Sequence, residues 1–116
     1  MNPIYVDATF KGSKGKKKVK ARVNMKADYS SIPKNVAEAI GLEVTTFDIQ
    51  PTGGKVHQIQ AGAPVIGIGD RSAVHTVLIN TIDEAVIGWI TLNLLGFKVY
   101  PRKGIIKPIY PWSLRV

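Results

Sequence analysis

Residues 21–42 read Ala21-Arg22-Val23-Asn24-Met25-Lys26-Ala27-Asp28-Tyr29-Ser30-Ser31-Ile32-Pro33-Lys34-Asn35-Val36-Ala37-Glu38-Ala39-Ile40-Gly41-Leu42. The stretch opens on an apolar/basic alternation that begins at Val19, the period-two pattern of a strand with one buried face. Residues 24–28 break that alternation and read as a loop. Pro33 suits the first turn of a helix, where its missing N–H removes nothing, with Ser31 or Ile32 just outside. Val36, Ala37, Ala39 and Ile40 supply an apolar stripe and Gly41 a C-terminal stop, so a helix is expected over residues 33–40.

Outward from this unit the chain reads as short strands separated by turns. Residues 4–10 are rich in β-branched and aromatic side chains and form a strand. Residues 11–18, with two glycines and a serine, read as the turn that leads into the strand at 19–23. The resulting hairpin has a lysine-laden tip. Residues 42–50 and 56–61 flank the Pro51-Thr52-Gly53-Gly54 turn as a second hairpin. Residues 64–69 and 73–80, joined by a turn at Asp70-Arg71, form a third pair. Val86-Ile87-Gly88 is a short strand, residues 91–95 a brief helix closed by Gly96, and residues 97–100 and 105–106 a last hairpin. The expected architecture is all-β: a small closed or nearly closed barrel with one or two short helices. It occupies residues 1–107, with residues 108–116 as an apolar tail carrying Tyr110, Trp112 and Leu114, which reads either as a dimer contact or as a segment packed on its own barrel.

The chain's 116 residues suit one domain with one core. A domain of this size buries only about 60–70% of its unfolded surface, so a dimer partner would add stability. No residue is cysteine, which excludes disulfides, thiolate metal sites and cysteine nucleophiles within this chain. No apolar run approaches the ~20 residues that span a bilayer. Met1-Asn2-Pro3-Ile4 lacks the basic start and long apolar run of a secretory signal, so a cytoplasmic protein is expected. The formal net charge of +8 favours anionic partners.

The 21–42 stretch resembles the catalytic-loop region of the retropepsin-like aspartic proteases. In that family a strand runs into Asp-Thr/Ser-Gly-Ala, followed by a Ser or Thr, an aliphatic residue and often Pro; cellular and prokaryotic members then carry a helix ending in Gly-Leu. Ala27, Ser30, Ile32, Pro33, Val36, Ala37, Ile40, Gly41 and Leu42 stand where the pattern wants them. A second match is Val86-Ile87-Gly88, then Leu92, Leu94-Leu95-Gly96-Phe97, Val99, Pro101 and Gly104, and residues 51–56 stand where the family's flap would lie. The resemblance spans residues 4–107. It implies a homodimeric acid-protease-like barrel whose cleft holds an extended peptide, with Ala27, Asp28, Gly53, Gly54 and Gly88 lining it.

The departure falls at the chemistry. The family's Asp-Thr-Gly positions hold Asn24, Met25 and Lys26. Aspartic proteolysis needs two carboxylates that share a proton, one activating water and one acting as acid. An amide, a thioether and an amine supply neither role, so no catalytic residue is expected. Asp28 stands where retroviral relatives carry an acid that binds substrate backbone, braced by an arginine after the second-motif glycine. Here Trp89 follows Gly88. Asp28 as a turn cap or a partner of Lys26 is the plainer reading.

Other residues carry less. His57 and His75 lie on different predicted strands without a metal-ligand spacing, and no metal or cofactor is expected. Ser30 and Ser31 have no histidine near them in sequence. Gly67-Ile68-Gly69 is too short for a dinucleotide fingerprint and reads as a barrel bend. Asp83-Glu84 reads as a turn. Lys11, Lys14, Lys16, Lys17, Lys18 and Lys20 form either a solvated loop or an anion-binding hairpin for nucleic acid or an anionic surface. Three functions therefore stand: an inactive retropepsin-like binding or scaffold module with a peptide or protein ligand, a basic nucleic-acid-binding barrel, and an aspartic endopeptidase in which Asn24 replaces a native acid.

Overall fold

The computed structural model describes residues 3–112. It opens on the antiparallel hairpin of β1 (Tyr5–Gly12) and β2 (Gly15–Asn24). These strands run deeper into the lysine-rich segment than the sequence suggests. Gly12 faces Gly15 across the ladder, which leaves only Ser13 and Lys14 for the turn, and Lys11 pairs with Lys16. A two-residue connection is the tightest way to join antiparallel strands, and lysine stems tolerate a solvent-facing strand.

After β2 come β3 (Ser30–Pro33), α1 (Lys34–Ile40), β4 (Thr45–Ile49), β5 (His57–Gly62), β6 (Val65–Ile68), β7 (Arg71–Val74), β8 (Val77–Asn80), β9 (Ala85–Gly88), α2 (Trp89–Leu94), β10 (Phe97–Tyr100) and β11 (Ile105–Pro108). The α1 helix ends as its sequence demands. Gly41 takes a left-handed φ of 66°. Its N–H donates to Glu38 O at 3.1 Å, and the N–H of Leu42 donates to Ala37 O at 2.9 Å. This pair of bonds satisfies the last carbonyls of the helix.

Nine of the strands form one sheet in the order β4-β5-β8-β3-β9-β2-β1-β6-β7, and β10 pairs with β11 apart from it. The protein is mainly β, as expected, but the expected closed barrel is not formed. The sheet is a curled half-barrel whose end strands, β4 and β7, do not pair. The cause lies at residues 73–80, which read as one strand by period-two alternation. The chain breaks step at His75-Thr76. β7 pairs with β6, whereas β8 crosses the sheet to lie parallel to β3 and antiparallel to β5. That crossover places β4 and β7 at opposite ends.

The core is contiguous. Ala8, Phe10 and Ala21 of the first hairpin pack with Val36, Ala37 and Ile40 of α1 and with Ile87, Leu92 and Leu95. The opposite face of the β1–β2 hairpin stays in solvent. Burial alternates along β1 and the second half of β2 as a one-sided sheet requires.

Arg71, read from sequence as part of a turn, instead begins β7 and is 3% exposed. Its Nη1 donates to Leu95 O at 3.2 Å and Gly96 O at 2.7 Å, and its Nη2 to Ile109 O at 2.8 Å. The guanidinium carbon lies 5.3 Å from the Phe97 ring centre, 4.8 Å from Tyr110 and 5.2 Å from Trp112. A buried cation is tolerable here because three carbonyl dipoles and three π-faces replace its water. The arginine thus ties the end of α2 and the following tail to β7. Leu114, with residues 113–116, lies outside the described residues.

Replacing Arg71 with Met leaves three carbonyls without their donor. We expect a loss of about 3 kcal/mol of unfolding free energy in urea titration. Arg71→Lys should recover less than half, because an ammonium cannot reproduce the planar fork. A loss below about 1 kcal/mol for the Met variant would mean that the tail is held by other contacts.

Candidate functional site

The sheet order fixes the geometry of residues 24–30. β2 and β3 are consecutive in sequence, yet β9 lies between them. β2 and β9 run parallel, with Asn24 opposite Gly88, and β3 returns antiparallel to β9 with Ser31 opposite Val86. The connecting loop must therefore pass across the C-terminal end of β9. It does so in contact with Gly88. A Cβ at that position would sit 2.6 Å from Ala27 O and 2.9 Å from Tyr29 O, both backbone atoms. Only glycine admits so close an approach.

The crossing is fastened by hydrogen bonds from both sides. The N–H of Trp89 donates to Ala27 O at 3.0 Å. The N–H of Gly88 donates to Ser30 Oγ at 2.9 Å, and Ser30 Oγ lies 2.6 Å from Thr91 Oγ1. Thr91 Oγ1 is in turn 3.3 Å from His75 Nδ1. One assignment orders the three bonds of the run. Ser30 accepts from Gly88 and donates to Thr91, and Thr91 donates to a neutral imidazole protonated at Nε2. Ser30 and Thr91 are each 0% exposed. Serine, threonine and histidine therefore do converge through the fold, but neither hydroxyl can meet a substrate. The run is a brace, not a nucleophile.

Within the loop, Asn24 Oδ1 accepts the N–H of Lys26 at 3.0 Å, and the N–H of Ala27 donates to Asn24 O at 3.1 Å. These bonds close a tight turn on the asparagine. Met25 and Lys26 point to solvent. Asp28 Oδ1 accepts the indole N–H of Trp89 at 2.7 Å. Asn24, Ala27, Asp28 and Gly88 are thus brought together at one end of β2 and β9.

Gly53 and Gly54 are not tied to this group. They occupy the turn between β4 and β5, closed by the N–H of Gly54 on Pro51 O at 2.8 Å. Among the described residues no hydrogen bond joins that turn to residues 24–28. A groove of about 510 Å3 beside β4 is lined by Ser13, Leu42, Thr45, Phe47 and Ala61 among others. A second, of about 850 Å3, is lined by Lys34, Thr46, Gln58, Asn80 and Asp83 among others. Neither includes a residue of the 24–28 loop.

The remaining candidates are dispersed. Ser31 Oγ accepts from Asn80 Nδ2 at 2.8 Å, and the same amide donates to Glu84 O at 2.9 Å, so Asn80 clamps the 81–84 loop to β3. Glu84 also pairs with Arg22 Nε. His57 lies exposed on β5. Gly67 lies within β6 and Gly69 in the turn after it. Of the lysines read as a hairpin tip, Lys14 alone stands in the turn. Lys11 is on β1, and Lys16, Lys17, Lys18 and Lys20 are on β2.

Sequence reasoning missed Trp89 and Thr91. The signal for Trp89 was an indole donor directly after Gly88; for Thr91 there was none, because its partners are distant in sequence. Comparison with family models and with curated proteins finds no match to this chain.

Burial holds the imidazole of His75 below its ordinary value of 6.5. The unfolded chain therefore binds a proton more readily than the folded protein in the window beneath about 6.5. Stability should be full above that value and fall as pH drops through it toward the lowered folded pKa. Urea titrations at about pH 7.5 and about pH 5 should show this loss, and His75→Gln should reduce it. An equal loss in the variant would assign the pH dependence to other groups.

Proposed function

We propose that this chain is a retropepsin-like domain without proteolytic chemistry that acts as a homodimeric binding or scaffold module for an extended peptide. The observation that carries the reading is the loop crossing at Gly88. It supplies the backbone frame that would present a catalytic pair, yet its tip offers an amide, a thioether and an amine. The nearest acid along the loop, Asp28, is occupied by the Trp89 indole, which serves as the donor that an arginine supplies in retroviral relatives.

Two features support a second copy and a peptide. Met25, Tyr29 and Trp89, on or beside the loop, expose apolar surface that suits burial against a partner. β4 is an end strand with every residue exposed and its outer edge unpaired among the described residues, and it carries Phe47 and Ile49. Such an edge accepts an added strand, with backbone bonds giving affinity and alternate side chains giving selectivity.

The experiment that tests the reading is digestion of a peptide library, with binding of the same peptides followed in parallel. We expect no cleavage at any pH, and retention of extended apolar peptides that weakens when Phe47→Asp is introduced on β4. Cleavage abolished by mutating one particular acid would overturn the assignment and favour an active protease.

A second outcome concerns Lys26. Two ammonium groups beside a shared axis repel, and salt screens that repulsion. Sedimentation should show a dimer that strengthens with added salt and with Lys26→Gly. A protein that stays monomeric at every concentration and salt level would remove the dimer from the proposal.

A further inference from the structure

The exposed face of the β1–β2 hairpin carries a row of cations that the proposed peptide site does not use. Lys16, Lys18, Lys20 and Arg22 occupy alternate positions of β2 and so share one face of the strand. Successive members stand about 6.8 Å apart along the strand, and the row runs about 20 Å. Register with β1 puts Lys11 opposite Lys16, Thr9 opposite Lys18, Asp7 opposite Lys20 and Tyr5 opposite Arg22 on this same face. Core packing and α1 cover the other face, through Ala8, Phe10 and Ala21. The lysine side of the hairpin is left open.

Charge on the face is unbalanced. Asp7 reaches Lys18 only at 4.0 Å, with both side chains well solvated, and Glu84 pairs with Arg22. Lys11, Lys16 and Lys20 have no ion-pair partner among the described residues. Lys20 Nζ lies 5.4 Å from the ring centre of Tyr5, which is 43% exposed. From β1 the sheet continues through the small residues Thr9, Gly67 and Ser72, which adjoin across β1, β6 and β7, with Val65 and Val74 in the next row beyond Lys11 on the same face. A linear series of cations beside an exposed aromatic ring, on an open sheet face, is the arrangement that takes a phosphate backbone and stacks a base.

We propose that this face binds single-stranded nucleic acid, with Lys16, Lys18 and Lys20 holding successive phosphates and Tyr5 stacking a base. Like-charged side chains at alternate positions repel one another, and a polyanion laid along the strand relieves that repulsion. An extended single strand can follow the straight line of cations; a stiff duplex bends its backbone away from it. The peptide-binding proposal uses β4 and the 24–28 loop, so the two stand or fall separately.

The test is fluorescence anisotropy of a labelled oligothymidylate against the intact protein over a range of salt. Three phosphate contacts predict a slope of log K against log salt of about −2. Lys16→Gln/Lys18→Gln/Lys20→Gln should weaken binding by at least about tenfold and flatten that slope. Tyr5→Ala should weaken binding about fivefold with the slope unchanged. Lys34→Gln/Lys55→Gln/Lys103→Gln, with the same change of net charge on α1 and two distant turns, should stay within about twofold of the parent. Thermal melting checks that each variant folds. Equal losses in the two triple variants would reduce the effect to overall charge and overturn the proposal. So would undetectable binding at low salt, or heparin and duplex competing as well as the single strand while Tyr5→Ala has no effect.

Discussion

The structure depends on one constraint, the passage of the 25–29 loop across the end of β9. Two parallel strands that end side by side, with the next strand of the chain placed beyond the second, leave the connection no route except over that end. The loop's backbone then needs the space a side chain would take at Gly88. It also leaves polar groups inside, which must be paired. Ser30 and Thr91, on the two elements that flank the crossing, supply those pairs. His75 closes the chain of bonds at the point where β7 gives way to β8. The break between those strands, the open sheet and the loop geometry are therefore connected features of a single topology.

A second tie works at the opposite end of α2. The Arg71 guanidinium gathers the carbonyls that end the helix and one from the following tail, and three aromatic rings close around it. Ser30 and Thr91 fix the start of α2 to the loop; Arg71 fixes its end to β7. A helix of six residues has little stability of its own. Its position is set by these two attachments and by the burial of Leu92.

How much of this could be read in the sequence follows from the range of each interaction. The α1 helix and its Gly41 stop were legible because both the signals and the bonds that answer them lie within a few residues. The hairpin turns at residues 51–54 and 101–104 were legible for the same reason. The division of residues 73–80 was not, since no glycine or proline marks His75-Thr76 and the alternation of apolar side chains runs through it. Closure was not legible either, because a count of strands does not say whether the first and last meet. Arg71 looked like a turn residue because Asp70 precedes it, and nothing nearby announces the carbonyls and rings that bury it. At the loop, Ala27, Asp28 and Gly88 were read as lining one cleft with Gly53 and Gly54; the first three stand together at the end of β9, Gly53 and Gly54 lie in the turn between β4 and β5, and the donor that occupies Asp28 was seen only once the indole was in place.

On the proposed reading, the loop can keep its shape without acidic chemistry for a physical reason. Its frame is held by Ser30, Thr91, the Trp89 N–H and the absence of a side chain at Gly88, and none of these belongs to residues 24–26. Among the described residues, the one side chain of that triplet with a bonding role is Asn24, whose amide oxygen accepts the N–H of Lys26. A carboxylate oxygen can make the same bond, so an acid and an amide are interchangeable for holding the turn although only the acid can exchange a proton with water. Two acids facing each other across a dimer would repel unless they shared a proton. An amide carries no such repulsion and can hold the same backbone turn. On the proposed reading, chemistry and scaffold are therefore separable at this loop: substitution at three tip positions removes the reaction, while the crossing persists because the topology of β2, β9 and β3 requires it.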